Sequence, residues 1–282
     1  MVRAVGVAVL AAVLFVGSLA MGQPKYVVLS DIAWAPFEWV SEKGDYLGFD
    51  LDVMRAIAIL EGFEIELRDT PFDSIIPAII AGRGDIGASG FTITDERALV
   101  ISFSEAYWDS NQAVVVRAGS GLDLDMVASP GRLVGAQRGT TGSFWIEDEW
   151  VPLGVTLVEY ETYPEAILDL LAGRIDAIVQ DVDPSKMAVV QYQGQIEIAG
   201  VVDTGEQFGF LVAKGDPKEI LPRIHRGVAA LKDLGVWDLL IEAYFGPSLG
   251  AIESAWEKCI AILLVERDPL RYAQCLAAEL RP

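Results

Sequence analysis

The sequence predicts an α/β protein of two lobes, each a mostly parallel sheet covered by helices. Three observations lead there. Short apolar runs alternate with longer segments of helical periodicity, the helical segments stop at glycine, and one pattern occurs twice, as Ala81-Gly82-Arg83-Gly84-Asp85-Ile86 and as Ala172-Gly173-Arg174-Ile175-Asp176-Ala177. Strand–helix alternation implies crossover connections and parallel pairing, and a repeated plan implies two similar units. A length of 282 residues suits two lobes of ordinary size, and 52% hydrophobic residues can fill large cores. With 21 Lys+Arg against 41 Asp+Glu the net charge is −20. So negative a chain is disfavoured as a nucleic-acid binder, and so apolar a chain is not disordered.

Residues 1–22 read as a signal peptide rather than as part of the fold. Arg3 precedes the apolar run Ala4 to Val16, which is shorter than the roughly 20 residues of a membrane-spanning helix, and small residues follow through Gly22. No cysteine lies near the cleavage region, so no lipid anchor is expected. A soluble, exported protein starting near Gln23 follows, periplasmic or extracellular.

In the mature chain, Tyr26–Leu29, Glu64–Leu67, Ile86–Ser89, Leu133–Ala136 and Ala177–Val179 read as buried strands. Asp50–Leu60 ends at Gly62, Phe72–Ala81 at Gly82 and Tyr163–Ala172 at Gly173, each a helix with a glycine stop. A helix Ser143–Glu149 follows a glycine-rich turn, and Lys218–Leu234 is a further helix. In the last segment Ile252–Glu266 and Pro269–Leu280 form a helical hairpin about Arg267-Asp268. Cys259 and Cys275 are equidistant from Arg267, so a disulfide is geometrically plausible in an oxidising compartment, against the alternative of two buried thiols.

Both repeats run into polar groups at a strand's carboxyl end, Ser89-Gly90-Phe91-Thr92 in the first and Gln180-Asp181 in the second. Ligands of open parallel sheets bind at that end, so two facing lobes would bring these groups to one cleft. Thr94 can cap a helix starting at Asp95, Gly90 permits close backbone approach, Thr92 offers a hydroxyl, and Arg97 presents a planar fork suited to a carboxylate. Pairing of Arg97 with Asp95 or a surface acid is the alternative. Gly139-Thr140-Thr141-Gly142 opens a helix with free backbone N–H groups. Asp181 supplies the opposite charge for an ammonium; as a cap for a helix Pro184–Gln191, Asp183 is better placed. A cation for a carboxylate and an anion for an amine together describe an α-amino acid.

The order and spacing of Trp34-Ala35-Pro36-Phe37-Glu38, Gly48-Phe49-Asp50-Leu51-Asp52, Phe72-Asp73-Ser74-Ile75-Ile76-Pro77-Ala78, Gly82-Arg83-Gly84-Asp85, Thr92-Ile93-Thr94-Asp95-Glu96-Arg97, Phe103-Ser104-Glu105-Ala106-Tyr107-Trp108, Arg138-Gly139-Thr140-Thr141 and Gln180-Asp181 resemble those of bacterial extracellular solute-binding protein family 3, the polar amino-acid-binding proteins of ABC importers. The resemblance covers nearly all of the mature chain except its tail. It implies the type II periplasmic-binding-protein fold. Lobe 1 would comprise residues 23–110 and 208–246 and lobe 2 residues 111–207, with crossings near Ser110–Val115 and Thr204–Gly209, and 247–282 would be a helical extension. It also implies that Arg97, Thr92 and Gly90, with Ser89, hold the ligand backbone from the first lobe, that Thr140 and Thr141 add carboxylate donors, that Asp181 takes the ammonium, and that Trp34 and Phe72 flank the ligand side chain. For both rings, core packing is the alternative.

Selectivity falls to Asp31, Gln137, Arg138 and Gln180. A carboxylate at Asp31 repels acidic ligands and favours an amide or a cation; Arg138 is assigned to solvent. Glutamine and basic amino acids therefore rank ahead of acidic ones. The partners expected are the amino acid and a membrane permease, the state expected is a monomer, and no cofactor or metal is called for, with His225 the sole histidine. A dehydratase of the same fold, acting on prephenate or arogenate, and an amino-acid sensing module are the alternatives; no nucleophile motif accompanies His225.

Overall fold

The computed structural model describes residues 23–281, so the expected signal peptide lies outside the described residues. Two five-stranded sheets carry the fold. In the first, the strands are ordered Glu64–Asp69, Lys25–Ser30, Ile86–Gly87, Leu211–Ala213 and Ile101–Phe103. The first three are parallel, and Leu211–Ala213 runs antiparallel between its neighbours. The second sheet is ordered Thr156–Tyr160, Leu133–Gln137, Ala177–Asp181, Trp108–Arg117 and Ile196–Phe208. Again the first three are parallel and the last two strands antiparallel.

Helices cover both faces of each sheet, which is why the strands read as continuous apolar runs rather than alternating ones. Every residue of Ala177–Asp181 is buried. Ala177 and Val179 pack into one core with Val114 and Val116, while Ile178 and Val115 pack into another on the opposite face.

The repeated motif performs the same job twice. Its helices run Phe72–Ile80 and Tyr163–Leu171, and Gly82 and Gly173 follow with φ of 69° and 72°. The motif aspartate then exchanges bonds with the adjoining parallel strand. Asp85 accepts from the Val27 N–H at 2.8 Å and donates its own N–H to the Val27 carbonyl; Asp176 does likewise with Leu133 at 2.9 Å. Each carboxylate thus satisfies a backbone donor at the start of a ladder.

The helix Phe49–Glu61 ends at Gly62 in the left-handed conformation. The helix expected over Ser143–Glu149 begins earlier, at Thr141, because Thr140 caps it by accepting from the Ser143 N–H at 3.1 Å, and it continues as a wider turn over Ile146–Trp150. The Lys218–Leu234 helix is shorter, Leu221–Asp233.

The chain passes between the sheets through two paired strands. Trp108 lies opposite Phe208, Ser110 opposite Glu206 and Gln112 opposite Val202, with a bulge over Asp203–Gly205. An aromatic cluster anchors the Trp108 end: the Phe37 ring lies 5.1 to 6.2 Å from those of Phe245, Trp108, Phe208 and Phe49.

The tail is a helical hairpin of Leu249–Leu264 and Pro269–Leu280, bridged by the Cys259–Cys275 disulfide with 5.8 Å between Cα atoms. It docks on the helix Phe49–Glu61 and on the short strand Glu38–Val40. The buried Asp52 carboxylate accepts from the hydroxyls of Tyr244 and Tyr272, and Trp39 Nε1 donates to Glu253 at 2.9 Å.

Candidate functional site

A narrow cavity lies between the sheets, lined by Asp31, Trp34, Phe72, Ser89, Gly90, Thr92, Arg97, Gln137, Thr140, Thr141, Gln180 and Asp181. Every residue singled out from the sequence as a ligand contact is in this lining. Parallel strands bring them there: Asp31 follows Lys25–Ser30, Ser89 and Gly90 follow Ile86–Gly87, Gln137 ends Leu133–Gln137, and Asp181 ends Ala177–Asp181. Arg138 is not in the lining. Its side chain is 50% exposed, with Asp73 at 3.7 Å and Glu159 at 3.8 Å.

Arg97 is buried, and its guanidinium leans on the rings of Phe72 and Phe91, 5.6 Å from each centroid. Nη1 donates to the Thr92 carbonyl at 2.8 Å and Nη2 to the Gly139 carbonyl at 3.0 Å. The alternative pairing with Asp95 is not made. Burial lowers its pKa to about 10, with Glu206 and Asp181 opposing the shift, so it remains a cation at neutral pH. A buried cation held by two carbonyls still has N–H groups for a carboxylate.

The first-sheet wall is braced from behind. Ser89 Oγ donates to Glu38 Oε1 at 2.6 Å and accepts from the Asp31 N–H; the Gly90 N–H and Tyr107 hydroxyl both donate to Asp50 Oδ2. Glu38 and Asp50 are fully buried, and both pKa values are raised, chiefly by desolvation. Gly90 takes φ of 53°, and a Cβ there would meet Trp34 Cζ3 at 2.0 Å, so glycine lets the indole lie flat on the backbone. Trp34 also stacks on Phe37 at 4.9 Å.

On the opposite wall, Asp183 does not cap the following helix. The helix starts at Val182, which puts Asp181 at the cap position, yet the Asp181 side chain makes no cap bond. Asp183 is drawn away by Trp108 Nε1 at 3.0 Å and Lys186 at 3.0 Å. Asp181 Oδ1 accepts from Ser110 Oγ at 3.0 Å and Gln112 Nε2 at 3.2 Å. Burial, reinforced by Glu206, raises its pKa to about 8.

The hydroxyls expected as carboxylate donors are engaged otherwise. Thr140 Oγ1 donates its one proton to the Gln137 carbonyl at 2.7 Å, and Thr141 Oγ1 donates to Glu206 Oε2 at 3.0 Å. Glu206, Ser110 and Gln112 are the residues that sequence reasoning missed. All three lie on the expected crossings, so an acid and an amide placed on hinge strands were the available signal.

Asp31, also in the lining, has acidic surroundings. Asp31 is buried and accepts from Gln137 Nε2; burial raises its pKa to about 7, and Asp69, Glu161 and Asp73 add to the rise. Gln137 Nε2 also donates to the Glu161 carbonyl, and Gln180 Oε1 accepts from the Asp181 N–H. His225 lies away from the cavity, its Nε2 accepting from the Glu105 N–H at 3.1 Å.

Two parallel-rich sheets joined by a pair of antiparallel strands, with a polar cleft at the strands' carboxyl ends, define the two-lobed type II periplasmic-binding-protein class. Residues 26–247 match the bacterial extracellular solute-binding proteins, family 3, and the chain belongs to that family. A probable histidine-binding protein of Neisseria gonorrhoeae is 31% identical over 232 residues, 80% of this chain and 84% of the relative. The L-arginine-binding protein of Pseudomonas aeruginosa is 28% identical over 222 residues, 76% of this chain and 85% of the relative. Among solved structures, an ancestral arginine-binding protein bound to arginine superposes with a TM-score of 0.75 at 32% identity, covering 80% of this chain and 100% of that one.

Proposed function

We propose that this chain is the periplasmic substrate-binding component of an ABC importer and that it takes an L-amino acid with a basic side chain, arginine first, with glutamine the nearest neutral competitor. The observation that carries the reading is one cavity whose lining holds the buried Arg97, the Asp181 whose charge acts on it, and a second buried carboxylate, Asp31. Arg97 takes the α-carboxylate, Asp181 the α-ammonium, and Asp31 the side-chain cation. Trp34 and Phe72 flank the aliphatic stem. Relatives named for histidine and arginine binding favour a binder over the dehydratase reading.

Binding works by closure. Lobe 1 (23–110 and 208–246) presents Arg97, lobe 2 (111–207) presents Asp181, and contacts made only in the closed state shift the population towards it. The closed, monomeric complex then docks on a membrane permease. Export by the 1–22 segment and a periplasmic location fit that route.

The test is a thermal-shift screen of refolded, ligand-free protein against the common amino acids, followed by calorimetry on the hits; a specific ligand raises the melting midpoint with its occupancy. Arginine should give the largest shift. Arg97→Ala and Asp181→Ala should each weaken arginine by at least about a hundredfold, since each strips a buried charge from its partner. Full binding by both variants would refute the assignment.

A further inference from the structure

We infer that Glu206, on the second crossing strand, is a positioning residue that turns the hydroxyl oxygens of Thr92 and Thr141 into acceptors facing the cavity, which makes them ligands for the α-ammonium rather than for the α-carboxylate. The inference deepens the proposed amino-acid site and rests on it.

One carboxylate oxygen of Glu206 collects three donors. Glu206 Oε2 lies 3.2 Å from Thr92 Oγ1, 3.0 Å from Thr141 Oγ1 and 3.0 Å from Gln112 Nε2. The two hydroxyl oxygens are 3.3 Å apart. Both threonines line the cavity, whereas Glu206 lines the clefts outside it, so it stands behind them. A threonine hydroxyl has one proton and two lone pairs, and a carboxylate only accepts. The two protons are therefore spent on Glu206, or one on Glu206 and one between the hydroxyls, and in either arrangement lone pairs remain for the cavity.

The surroundings fix this polarity. Gln112 Nε2 divides its two protons between Asp181 Oδ1 and Glu206 Oε2, which ties the two carboxylates to one amide. The Asp203–Gly205 bulge aims Glu206, and the bulge is held in turn by Asn111 Oδ1, which accepts from the N–H groups of Thr204 and Gly205 at 3.0 Å each. An ammonium has three donors and no acceptor. Thr92, Thr141 and Asp181 offer it acceptors, while a carboxylate at the same spot would face lone pairs. The ligand's carboxylate is thereby directed to the Arg97 guanidinium.

The test compares arginine with 5-guanidinopentanoate, its counterpart without the α-amino group, by calorimetry at pH 7. Wild-type protein should prefer arginine by at least about a hundredfold, the loss expected when a buried charged acceptor goes unpaired. Glu206→Gln leaves an amide that can donate to the threonines, freeing their protons to turn inward. The preference should fall about tenfold or more, with the des-amino ligand held as well as before. Glu206→Asp should restore part of the preference. In a Thr92→Val, Thr141→Val background, Glu206→Gln should no longer change the ratio, because the hydroxyls it acts through are gone.

Equal losses for both ligands in Glu206→Gln would assign Glu206 a merely structural role and overturn the inference. Tighter arginine binding in that variant would make Glu206 a competitor of the ligand and overturn it too. Failure of wild-type protein to bind arginine would instead strike the proposed function, and the inference with it.

Discussion

Arginine affinity should fall in acid more steeply than glutamine affinity, because arginine needs Asp31 ionised as well as Asp181. Burial raises the Asp31 pKa to about 7, with Asp69, Glu161 and Asp73 pushing the same way and the Gln137 bond opposing. Below that pH the unliganded carboxyl is protonated. A guanidinium seated on it favours the ionised form, so binding must expel the proton. Each pH unit below about 7 then costs arginine about 1.36 kcal/mol, or tenfold in Kd, beyond what it costs glutamine, so the ratio of arginine to glutamine Kd should rise up to about a hundredfold between pH 7 and pH 5. Asp181, raised to about 8, faces the ammonium that every amino acid carries. Its proton is released by both ligands, and the ratio of arginine to glutamine Kd cancels it. Calorimetry at pH 5, 6, 7 and 8, in two buffers of different ionisation enthalpy, measures the ratio and the protons released. Asp31→Asn should flatten the ratio. A wild-type ratio constant within about twofold from pH 7 to 5, or an unchanged slope in Asp31→Asn, would refute the reasoning.

The same raised values set the stability of the unliganded protein. Asp31 and Asp181 have folded pKa values above the ordinary 3.8, so their contribution is complete below about 3.8 and is lost progressively until the pH passes about 7 and 8; the ligand-free midpoint should fall from pH 4 to 8 and level off above, and fall less with arginine present. Gly90→Ala should cost about 1–2 kcal/mol for the left-handed backbone alone and displace Trp34, so both urea unfolding and arginine affinity should suffer; an unchanged Kd would remove Trp34 from the site. Replacing Cys259 and Cys275 together by serine should lower stability by up to about 3 kcal/mol for a loop of this length, with the Kd unchanged, since the hairpin packs away from the cavity.

What could be read from the residues was whatever depends on neighbours in the chain. Glycine at Gly62 stops a helix because the left-handed conformation is open to it, Thr94 caps Asp95–Val100 through a bond three residues on, and the two copies of the Arg–Asp motif follow the same helix-to-strand turn. The lining of the cavity was legible for a related reason: parallel strands put their carboxyl ends on one edge, so polar residues there converge. The hinge acids and amides were not legible. Glu206 meets Gln112 across 94 residues and Thr92 across 114, so beyond its place on an expected crossing nothing local shows which groups it holds.

The sequence by itself determined the alternation of elements and the helical hairpin that sets Cys259 opposite Cys275, and it pointed to Arg97 and Asp181 as opposite charges at strand ends, because helix stops, strand ends and equal spacing from a turn are short-range properties. Only the tertiary structure decided which way each hydroxyl proton points, which aspartate leaves its helix cap for the cleft, and how far burial lifts Asp31. Those outcomes depend on what else is packed within hydrogen-bonding or Coulomb reach, and folding alone brings those partners together.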